Sequence, residues 1–469
     1  MEAPVAGRRA GGELTNNMKV FKTNSEAATE LLRLPKFGAG VGLHRMLWVV
    51  DRMQATDWFT NLDVLKITGS KGKGSASAFS SAILSQLGLR TGLFTSPHLF
   101  RFNERIKLNG SDISDEELAV SWAWFKNIIE DYSRLYSDDS FGFFEALTGV
   151  AFHLFSRHNV AAVVAEAGIG GRYDSTRPFP GKTVALTSVE LEHTELLGET
   201  TELIAYDKAD LCPSGGTLVV GELHQELVPR LRSYCRLRGI RIVEAQAASE
   251  ISNVEFLGDI MTFSLKCVDL DFGTVSMPLI GRHQAGNAAV AIIATWDWLS
   301  RNYPDIDASS FKGSVIQALG AIHWPGRLQR IMERPEVIID VGHTPQSMRC
   351  VADAIREMNP HRAILLLTGV SRDKNVNAVL AELVPIASLI ICTQPHHKGT
   401  PAGQVAAICR KLRPDLEVIS VNNIEDAVRD AIRFASENNM TVVIAGGLFL
   451  AIEATIVSQG GKPTDLMFA

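Results

Sequence analysis

The sequence predicts an α/β protein with a larger N-terminal and a smaller C-terminal domain, each containing a doubly wound, largely parallel sheet. Three observations indicate this fold class. The chain has 469 residues, which is too long for one ordinary hydrophobic core. A strand, a glycine-rich loop and a helix follow one another between Val64 and Leu87. From residue 337 onward, short apolar strands alternate with helices, as in a Rossmann-like domain.

The predicted elements follow from apolar spacing and local start signals. Ser114 and Glu117 form a capping box, and Val160 to Glu166 is an apolar run typical of a buried parallel strand. Short strands should dominate between residues 215 and 278. The other predicted strands cover residues 64–68, 90–94, 104–113, 160–166, 183–189, 337–341, 363–369, 389–392 and 442–445. The predicted helices cover residues 25–33, 44–58, 77–87, 114–132, 143–155, 287–299, 346–358, 377–384, 402–412 and 424–437.

Tyr303-Pro304-Asp305 is a candidate hinge between the two domains. We therefore expect residues 1–20 to form a disordered tail, 21–303 the nucleotide-binding domain and 304–469 the C-terminal domain. The tail carries glycine and charged residues without the apolar segment of a secretion signal.

Composition limits the classes of function. Apolar residues make up 46% and charged residues 21% of the chain, which is typical of a globular protein with ample core. A formal net charge of −6 gives no reason to expect nucleic acid as a partner. The six cysteines stand far apart without a CxxC pair, which indicates reduced thiols. With no apolar run as long as a membrane span, we expect a cytoplasmic monomer that acts on small molecules.

The glycine-rich loop predicts a phosphate site of the P-loop kind. Its core is Gly72, Lys73, Gly74 and Ser75, directly before a helix. Glycines let backbone N–H groups approach phosphates, and the helix N-terminus adds partial positive charge. Lys73 would reach the outer phosphates, and the Ser75 hydroxyl would lie near a phosphate-bound magnesium. A purely structural turn is the alternative, but the lysine, the serine and both flanking elements favour nucleotide binding.

Polar side chains follow several strands of the predicted N-terminal sheet. Ser96 lies in a turn after one strand, Glu166 closes a buried strand, and His193 follows the next. Ligands of open α/β sheets bind at the carboxyl ends of the strands, so these groups suit magnesium binding or water positioning. Lys208 follows on a helix, where an ordinary solvated lysine is the alternative. The glycine-rich loop 35–43 is either a connector or a substrate contact.

Seven motifs occur in a specific order along nearly the whole chain after residue 20. They are ITGSKGKGS, TSPHL with ERIKLNG, FFEALT, EAGIGGRYDST, EHTELLGET with IAYDKA, GRHQAGNA, and WPGRLQ. In this order and at these spacings, they resemble the folylpolyglutamate synthase and dihydrofolate synthase branch of the Mur ligase superfamily. The resemblance implies an ADP-forming ligase of the EC 6.3.2 type that joins a carboxylate to the amine of glutamate through an acyl phosphate.

The resemblance also implies roles for individual residues. The expected ATP site contains Gly72, Lys73, Gly74, Ser75, Asn287, Arg327 and Asp340. The expected ligands of two Mg²⁺ ions are Ser96, Glu166, His193 and Lys208, and Lys208 resembles the lysine that is carbamylated in this family. The expected catalytic residues are Lys73, His193 and Lys208. The expected substrate residues are Gly42, Leu43, His44, Phe143, Phe144, Glu145, Arg172 and His343.

The chain departs from the family pattern at three places. Thr344 stands where the family usually has Asn after Asp-Gly-Ala-His, and Gly447 stands where a Thr-Gly-Ser stretch ends. The resemblance implies that both positions lie where the amino-acid substrate binds, so an asparagine and a serine able to hydrogen-bond it are absent. His44 replaces a glutamate before Arg45. Three interpretations therefore remain at this point: a folate-type glutamate ligase, a relative that joins another acid and amine, and a nucleotide-binding protein without ligase activity.

Overall fold

The computed structural model describes residues 25–54 and 56–466. The predicted tail, residues 1–20, lies outside the described residues. Within the described part of the chain, no helix is long and apolar enough to cross a membrane. The strands form an eight-stranded, a three-stranded and a six-stranded sheet.

The eight-stranded sheet has the order β4-β3-β2-β5-β1-β6-β7-β8. The six strands from β2 to β8 in this order are parallel, whereas β3 and β4 extend the sheet with antiparallel pairings. The strands are β1 (Val64–Thr68), β2 (Thr91–Phe94), β3 (Ile106–Leu108), β4 (Ser111–Asp112), β5 (Ala162–Glu166), β6 (Thr183–Leu186), β7 (Thr217–Val220) and β8 (Arg241–Glu244).

Nine helices accompany this sheet in the described residues. They are α1 (Glu26–Leu32), α2 (His44–Met53), α3 (Asp57–Thr60), α4 (Lys73–Gln86), α5 (Asp115–Leu135), α6 (Phe143–Arg157), α7 (Thr194–Leu197), α8 (Thr201–Ala209) and α9 (Leu227–Leu237). Every residue of β1 and β5 is buried, because helices cover both faces of the parallel sheet. The sheet therefore fixes the carboxyl ends of β1, β2, β5 and β6 side by side.

An antiparallel sheet and two helices follow. The sheet has the order β11-β10-β9, with β9 (Ser249–Leu257), β10 (Ile260–Cys267) and β11 (Leu270–Met277). The helices are α10 (Arg282–Asn302) and α11 (Ala308–Ala321). Both helices contact α4, and α11 also contacts β11. The helix after the predicted hinge thus packs on the N-terminal part of the molecule, and the domain boundary at 303/304 stays a prediction.

The six-stranded sheet has the order β12-β13-β17-β14-β15-β16, parallel except for β12. Its strands are β12 (Gln329–Glu333), β13 (Glu336–Ile339), β14 (Ile364–Thr368), β15 (Leu389–Gln394), β16 (Val418–Asn423) and β17 (Thr441–Ile444). Its helices are α12 (Pro345–Met358), α13 (Val376–Leu383), α14 (Ala402–Leu412), α15 (Ile424–Asn438) and α16 (Leu448–Ser458). The predicted fold class, with two doubly wound domains, is confirmed.

The structure corrects several predicted elements. The helix predicted over 44–58 ends at Met53, and the helix predicted to begin at Asn287 begins at Arg282. The stretch 215–278, predicted as strands, contains the helix α9. The elements that were not predicted include α7, α11, α16, β12 and β16. The helix α9 carries Pro229 in its first turn, where no helical N–H bond is needed, so this proline does not break it.

Candidate functional site

The glycine-rich loop connects the buried strand β1 to the N-terminus of α4, as predicted. Gly72 has φ +79°, a left-handed conformation that favours glycine, and a Cβ there would lie 2.3 Å from Asn287 Oδ1. Lys73 Nζ donates to the carbonyl oxygen of Gly69 at 2.9 Å, so the lysine spans its own loop. Ser75 is buried in the first turn of α4. The loop therefore places backbone N–H groups and the Lys73 ammonium group together at the start of α4. Asn287 of α10 packs against Gly72 of this loop.

Glu166 and Ser96 meet beside this loop. Glu166 at the end of β5 is only 3% exposed, and its Oε2 accepts a hydrogen bond from the backbone N–H of Ser96 at 3.0 Å. Burial raises the pKa of Glu166, while the charges of Lys73 and Arg327 oppose that rise. The carboxylate thus lies within the electrostatic reach of cations from both parts of the chain.

Lys208 is almost completely buried, at 1% exposure, in the last turn of α8. Its Nζ donates to Glu192 Oε1 at 2.8 Å. Burial lowers the pKa of Lys208, although Glu192 opposes this. Burial would raise the pKa of Glu192, but the positive charges of Lys208 and Lys73 outweigh it and hold the pKa at about 2. Lys208 is therefore no ordinary surface lysine; it lies in the same charge cluster as Lys73.

His193 and Glu190 lie on the segment that follows β6. His193 has φ +45° and is half-buried, with Nδ1 3.8 Å from Glu195 Oε1. Burial lowers the pKa of His193, so the neutral imidazole is favoured. Glu190 Oε1 is buried without a hydrogen-bond partner in the described residues. Its carboxylate interacts with Lys71 of the glycine-rich loop and with the Thr344 side chain. A buried carboxylate oxygen without a partner beside a phosphate loop is a candidate for cation binding.

A cavity of about 700 Å³ opens at the same edge of the sheet. Ser96 lines it together with aromatic and apolar side chains, so the cavity adjoins the Glu166 carboxylate. Of the predicted substrate residues, Gly42, Phe143, Phe144 and Glu145 line it. A largely apolar small molecule would fit a cavity of this size and lining.

The loop 35–43 is held over the cavity by a charged network. Arg45 donates through Nε to Glu145 and through Nη1 to Asp139 Oδ1 at 2.7 Å. His44 Nε2 lies 2.6 Å from Asp139 Oδ2, and the Tyr132 hydroxyl donates to the same oxygen at 2.6 Å. Burial would raise the pKa of Asp139, but hydrogen bonds from Tyr132, His44 and Arg45 hold it at about 2. In this structure His44 therefore anchors the loop, whereas the resemblance implies a substrate contact.

The C-terminal sheet presents a second group of predicted residues. Asp340 follows β13 and accepts the backbone N–H groups of Leu328 and Gly342 at 3.0 and 2.7 Å. These bonds hold Arg327, on the preceding turn, next to the sheet edge. Burial lowers the pKa of His343 to about 3, and the charges of Lys71, Lys374 and Arg327 act in the same direction. His343 therefore lies between the glycine-rich loop and the C-terminal sheet.

Several known proteins resemble this chain over most of its length. A model of the Mur ligase glutamate ligase domain matches residues 326–448. A probable bifunctional folylpolyglutamate synthase/dihydropteroate synthase of Halobacterium salinarum is 32% identical over 434 residues; the match covers 92% of this chain and 51% of that protein. The dihydrofolate synthase/folylpolyglutamate synthase of Bacillus subtilis is 29% identical over 422 residues, covering 88% and 94%. The chain is thus similar over most of its length to folylpolyglutamate synthases and dihydrofolate synthases.

A solved structure has the same fold as this chain. It is a bifunctional folylpolyglutamate synthase/dihydrofolate synthase with Mn, AMPPNP and L-glutamate bound, and it superposes with a TM-score of 0.74 at 26% identity. The match covers 90% of this chain and 95% of that one. The chain therefore spans nearly the whole length of this relative and of the Bacillus relative, but about half the length of the Halobacterium one.

Four of the predicted substrate residues do not line the cavity: Leu43, His44, Arg172 and His343. Arg172 donates through Nε to Asp210 Oδ2 at 2.7 Å, and Tyr234 and Arg238 contact the other oxygen of Asp210. Leu43 precedes α2 at the end of the loop. Their substrate roles stay predictions, and a substrate contact by Arg172 would require it to leave Asp210.

A divalent cation fits this site when a nucleotide supplies part of its coordination. In the ranges 25–54 and 56–466, no three His, Cys, Asp or Glu side chains are grouped to hold a metal by themselves. Mg²⁺ typically takes one or two carboxylates and completes its octahedron with phosphate oxygens and water. Glu166, together with the buried, unpartnered oxygen of Glu190, offers such carboxylates beside the phosphate loop.

Three residues of the site were not predicted from the sequence. Glu192 pairs with Lys208, Asp139 anchors the substrate loop, and Lys374 approaches the glycine-rich loop from the C-terminal sheet. Glu190 and Glu192 both lie on the segment that follows β6. Only the fold shows which charge each one faces.

Proposed function

We propose that this chain is an ATP-dependent ligase that joins the carboxylate of a folate or dihydropteroate to the amine of glutamate, forming ADP and phosphate. One observation supports this most directly: the cavity of about 700 Å³ and the phosphate loop share the sheet edge at which Ser96 meets Glu166. A carboxylate at the inner end of a ligand in the cavity would face the outer phosphate of a nucleotide on the loop.

The chemistry proceeds through an acyl phosphate. A carboxylate oxygen attacks the terminal phosphorus of ATP, the bond to ADP breaks, and the carboxylate becomes a phosphorylated electrophile. The amine of glutamate then attacks the acyl carbon, loses a proton and expels phosphate. Lys73 stabilises charge on the transferred group, and positioning supplies most of the remaining catalysis. Arg327 and His343, contributed by the C-terminal part, close the opposite wall of the site and exclude water from the acyl phosphate.

Magnesium would be held by Glu166 and Ser96, with His193 and the Lys208 group at a second position. When bound, it neutralises negative charge on the phosphates during transfer. The neutral form of His193, favoured by its lowered pKa, is the form that can bind a metal.

Lys208 is the candidate for carbamylation. The reaction needs the neutral amine, which attacks carbon dioxide and releases a proton, and burial of Lys208 lowers its pKa in that direction. The product is an anion next to Glu192, and two neighbouring anions require a cation between them. A carbamate therefore fits the second magnesium position.

The test of the proposed function is direct. The protein is incubated with ATP, magnesium and glutamate, together with dihydropteroate, dihydrofolate or tetrahydrofolate, and mass spectrometry follows the acceptor. We expect one acceptor to gain a glutamate residue, with phosphate released only when acceptor and amine are both present.

Two outcomes contradict this proposal. If no folate acceptor gains mass while another acid–amine pair does, the folate assignment fails and the ligase uses other substrates, as the departures at Thr344 and Gly447 would then explain. Phosphate release independent of both co-substrates, or none with a broad panel, favours a nucleotide-binding protein without ligase activity.

A further inference from the structure

The loops that follow β14 and β17 lie side by side at the edge of the C-terminal sheet. A Cβ added at Gly447 would lie 3.9 Å from both the N and Oγ atoms of Ser371 and 3.7 Å from the Gly369 carbonyl oxygen. These are ordinary van der Waals distances, so the space for a side chain at 447 exists. With φ 174° and ψ 157°, Gly447 has an extended backbone that any residue adopts. Neither the backbone nor the packing requires glycine there.

Ser371 is held firmly in this position. It is 6% exposed, it forms a β-bridge with Gly399, and its carbonyl oxygen accepts the N–H of Lys374 at 3.0 Å. The adjacent Arg372 N–H donates to the Lys398 carbonyl oxygen at 2.8 Å. The loop after β14 is thus bound at two points to the loop after β15, which contains Lys398 and Gly399. The Ser371 hydroxyl thus occupies the neighbourhood that a serine hydroxyl at 447 would reach.

The surroundings of Ser371 favour an anion. Lys374, three residues further, is half-buried, and its charge reaches Lys71 and His343. Its recorded ion pair is with the exposed side chain of Asp373 at 3.9 Å, a separation at the limit of such a contact. A carboxylate that accepts a hydrogen bond from the Ser371 hydroxyl would therefore lie in a region that the charge of Lys374 reaches.

We propose that Ser371 takes the place of the side chain that Gly447 lacks, and that its hydroxyl donates a hydrogen bond to a carboxylate of the amino-acid substrate. This inference rests on the proposed function, because it assigns a residue to the glutamate that the ligase adds. It also explains how the chain can retain this substrate although the family's serine is absent. The substrate-binding hydroxyl has moved from the loop after β17 to the loop after β14.

The test is a substitution with a built-in rescue. Ser371→Ala should raise the KM for glutamate roughly tenfold, the usual effect of losing one hydrogen bond to a charged group. The KM for ATP and the KM for the folate acceptor should stay unchanged. Adding Gly447→Ser to Ser371→Ala should restore most of the glutamate affinity, since the hydroxyl returns from the neighbouring loop. Ser436→Ala, on an exposed face of α15, is the control and should leave all constants unchanged.

The experiment distinguishes a failure of the Ser371 assignment from a failure of the proposed ligase function. An active wild-type enzyme whose Ser371→Ala variant keeps its glutamate KM overturns the role of Ser371. So does a double variant that folds but is no better than the single one. A wild-type protein that adds glutamate to no folate overturns the proposed function instead. Serine is a favourable residue at the N-cap of a helix, so Gly447→Ser at the start of α16 should not impair folding.

Discussion

Two sheet edges face each other in this molecule, and they differ in how well they match the family pattern. The phosphate edge consists of the carboxyl ends of β1, β2, β5 and β6, and the amino-acid edge of the carboxyl ends of β13, β14, β15 and β17. The phosphate edge is nearly intact relative to the family motifs, whereas the amino-acid edge has lost two residues. The difference has a structural reason: Gly72 is locked by its backbone and by Asn287, but Gly447 has an ordinary backbone and free space.

This comparison shows where a motif can change without loss of chemistry. A residue whose backbone conformation and close contacts leave no alternative must be kept, as at the glycine-rich loop. A residue that contributes only a donor group can be replaced by a neighbour on an adjacent loop, as we infer for Ser371. Substitutions at the two edges should therefore differ in the size of their effect and in the substrate whose binding they change.

The largest effect is expected at the phosphate edge, for Lys73→Ala. We expect activity to fall roughly a thousandfold, because a preorganised cation next to the transferred phosphoryl group is lost. The measurement is phosphate release in the presence of both co-substrates. Lys411→Ala, on the exposed end of α14, is the matched control and should keep full activity. A Lys73→Ala variant close to wild type would show that the phosphate edge is not catalytic.

The second prediction concerns Lys208. Lys208→Ala should lower activity roughly a hundredfold, because the second metal position and the Glu192 partner are both disturbed. Added acetate should recover part of the activity by occupying the vacated anion position. Lys208→Arg keeps the positive charge but cannot form a carbamate. An active Lys208→Arg variant would therefore assign Lys208 an ion-pair role and rule out the carbamate.

The role of Lys73 could be predicted from the sequence, whereas the surroundings of Lys208 could not. Lys73 lies within a run of consecutive residues whose local geometry is set by glycines and a helix start, so the motif itself carries the information. The partner of Lys208 is Glu192, sixteen residues away on another segment. That pairing depends on how α8 packs beneath the end of β6. The sheets, with their buried apolar strands, were predictable for the same local reason as the loop.

The elements that sequence did not predict share a physical feature. The helix α11 is rich in serine and glycine, which favour helices weakly, and it is stabilised by packing on α4 and β11. The neighbourhood of Ser371 and Gly447 likewise arises from the parallel order of β14 and β17. Both are tertiary effects, which local patterns do not contain.

The third prediction is a pH dependence at the phosphate edge. Burial lowers the pKa of Lys71 to about 8, against the attraction of Glu190 and Glu192. A bound phosphate favours the charged lysine, so the affinity for nucleotide should fall as pH rises through 8 and Lys71 loses its proton. We expect up to about a tenfold loss for each unit by which phosphate raises this pKa. Titration calorimetry with ADP at several pH values measures it.

A matched variant sharpens this prediction. Lys71→Arg keeps its charge at all these pH values, so its nucleotide affinity should change little with pH over the same range. An equally steep decline in the Lys71→Arg variant would assign the pH dependence to another group. Glutamate binding, at the opposite edge, should follow a different pH profile.

The smallest effect is expected for Thr344→Asn, which restores the family residue at the amino-acid edge. Thr344 is the N-cap of α12, and its Oγ1 accepts the Ser347 N–H at 3.4 Å. Asparagine caps helices about as well as threonine, so the free energy of unfolding should change by less than about 0.5 kcal/mol. Thr344→Ala, which removes the cap, should lower it by about 1 kcal/mol.

The glutamate KM of Thr344→Asn decides whether the amino-acid edge is already compensated. If Ser371 and Lys374 hold the carboxylate, the added amide has little left to contribute, and the KM should fall by less than about threefold. Steady-state kinetics at saturating ATP and acceptor measure this change. A fall of about tenfold or more would mean that the edge lacks a donor in the natural chain. In that case glutamate binds weakly to the protein as it stands, and another amine becomes the better candidate for its substrate.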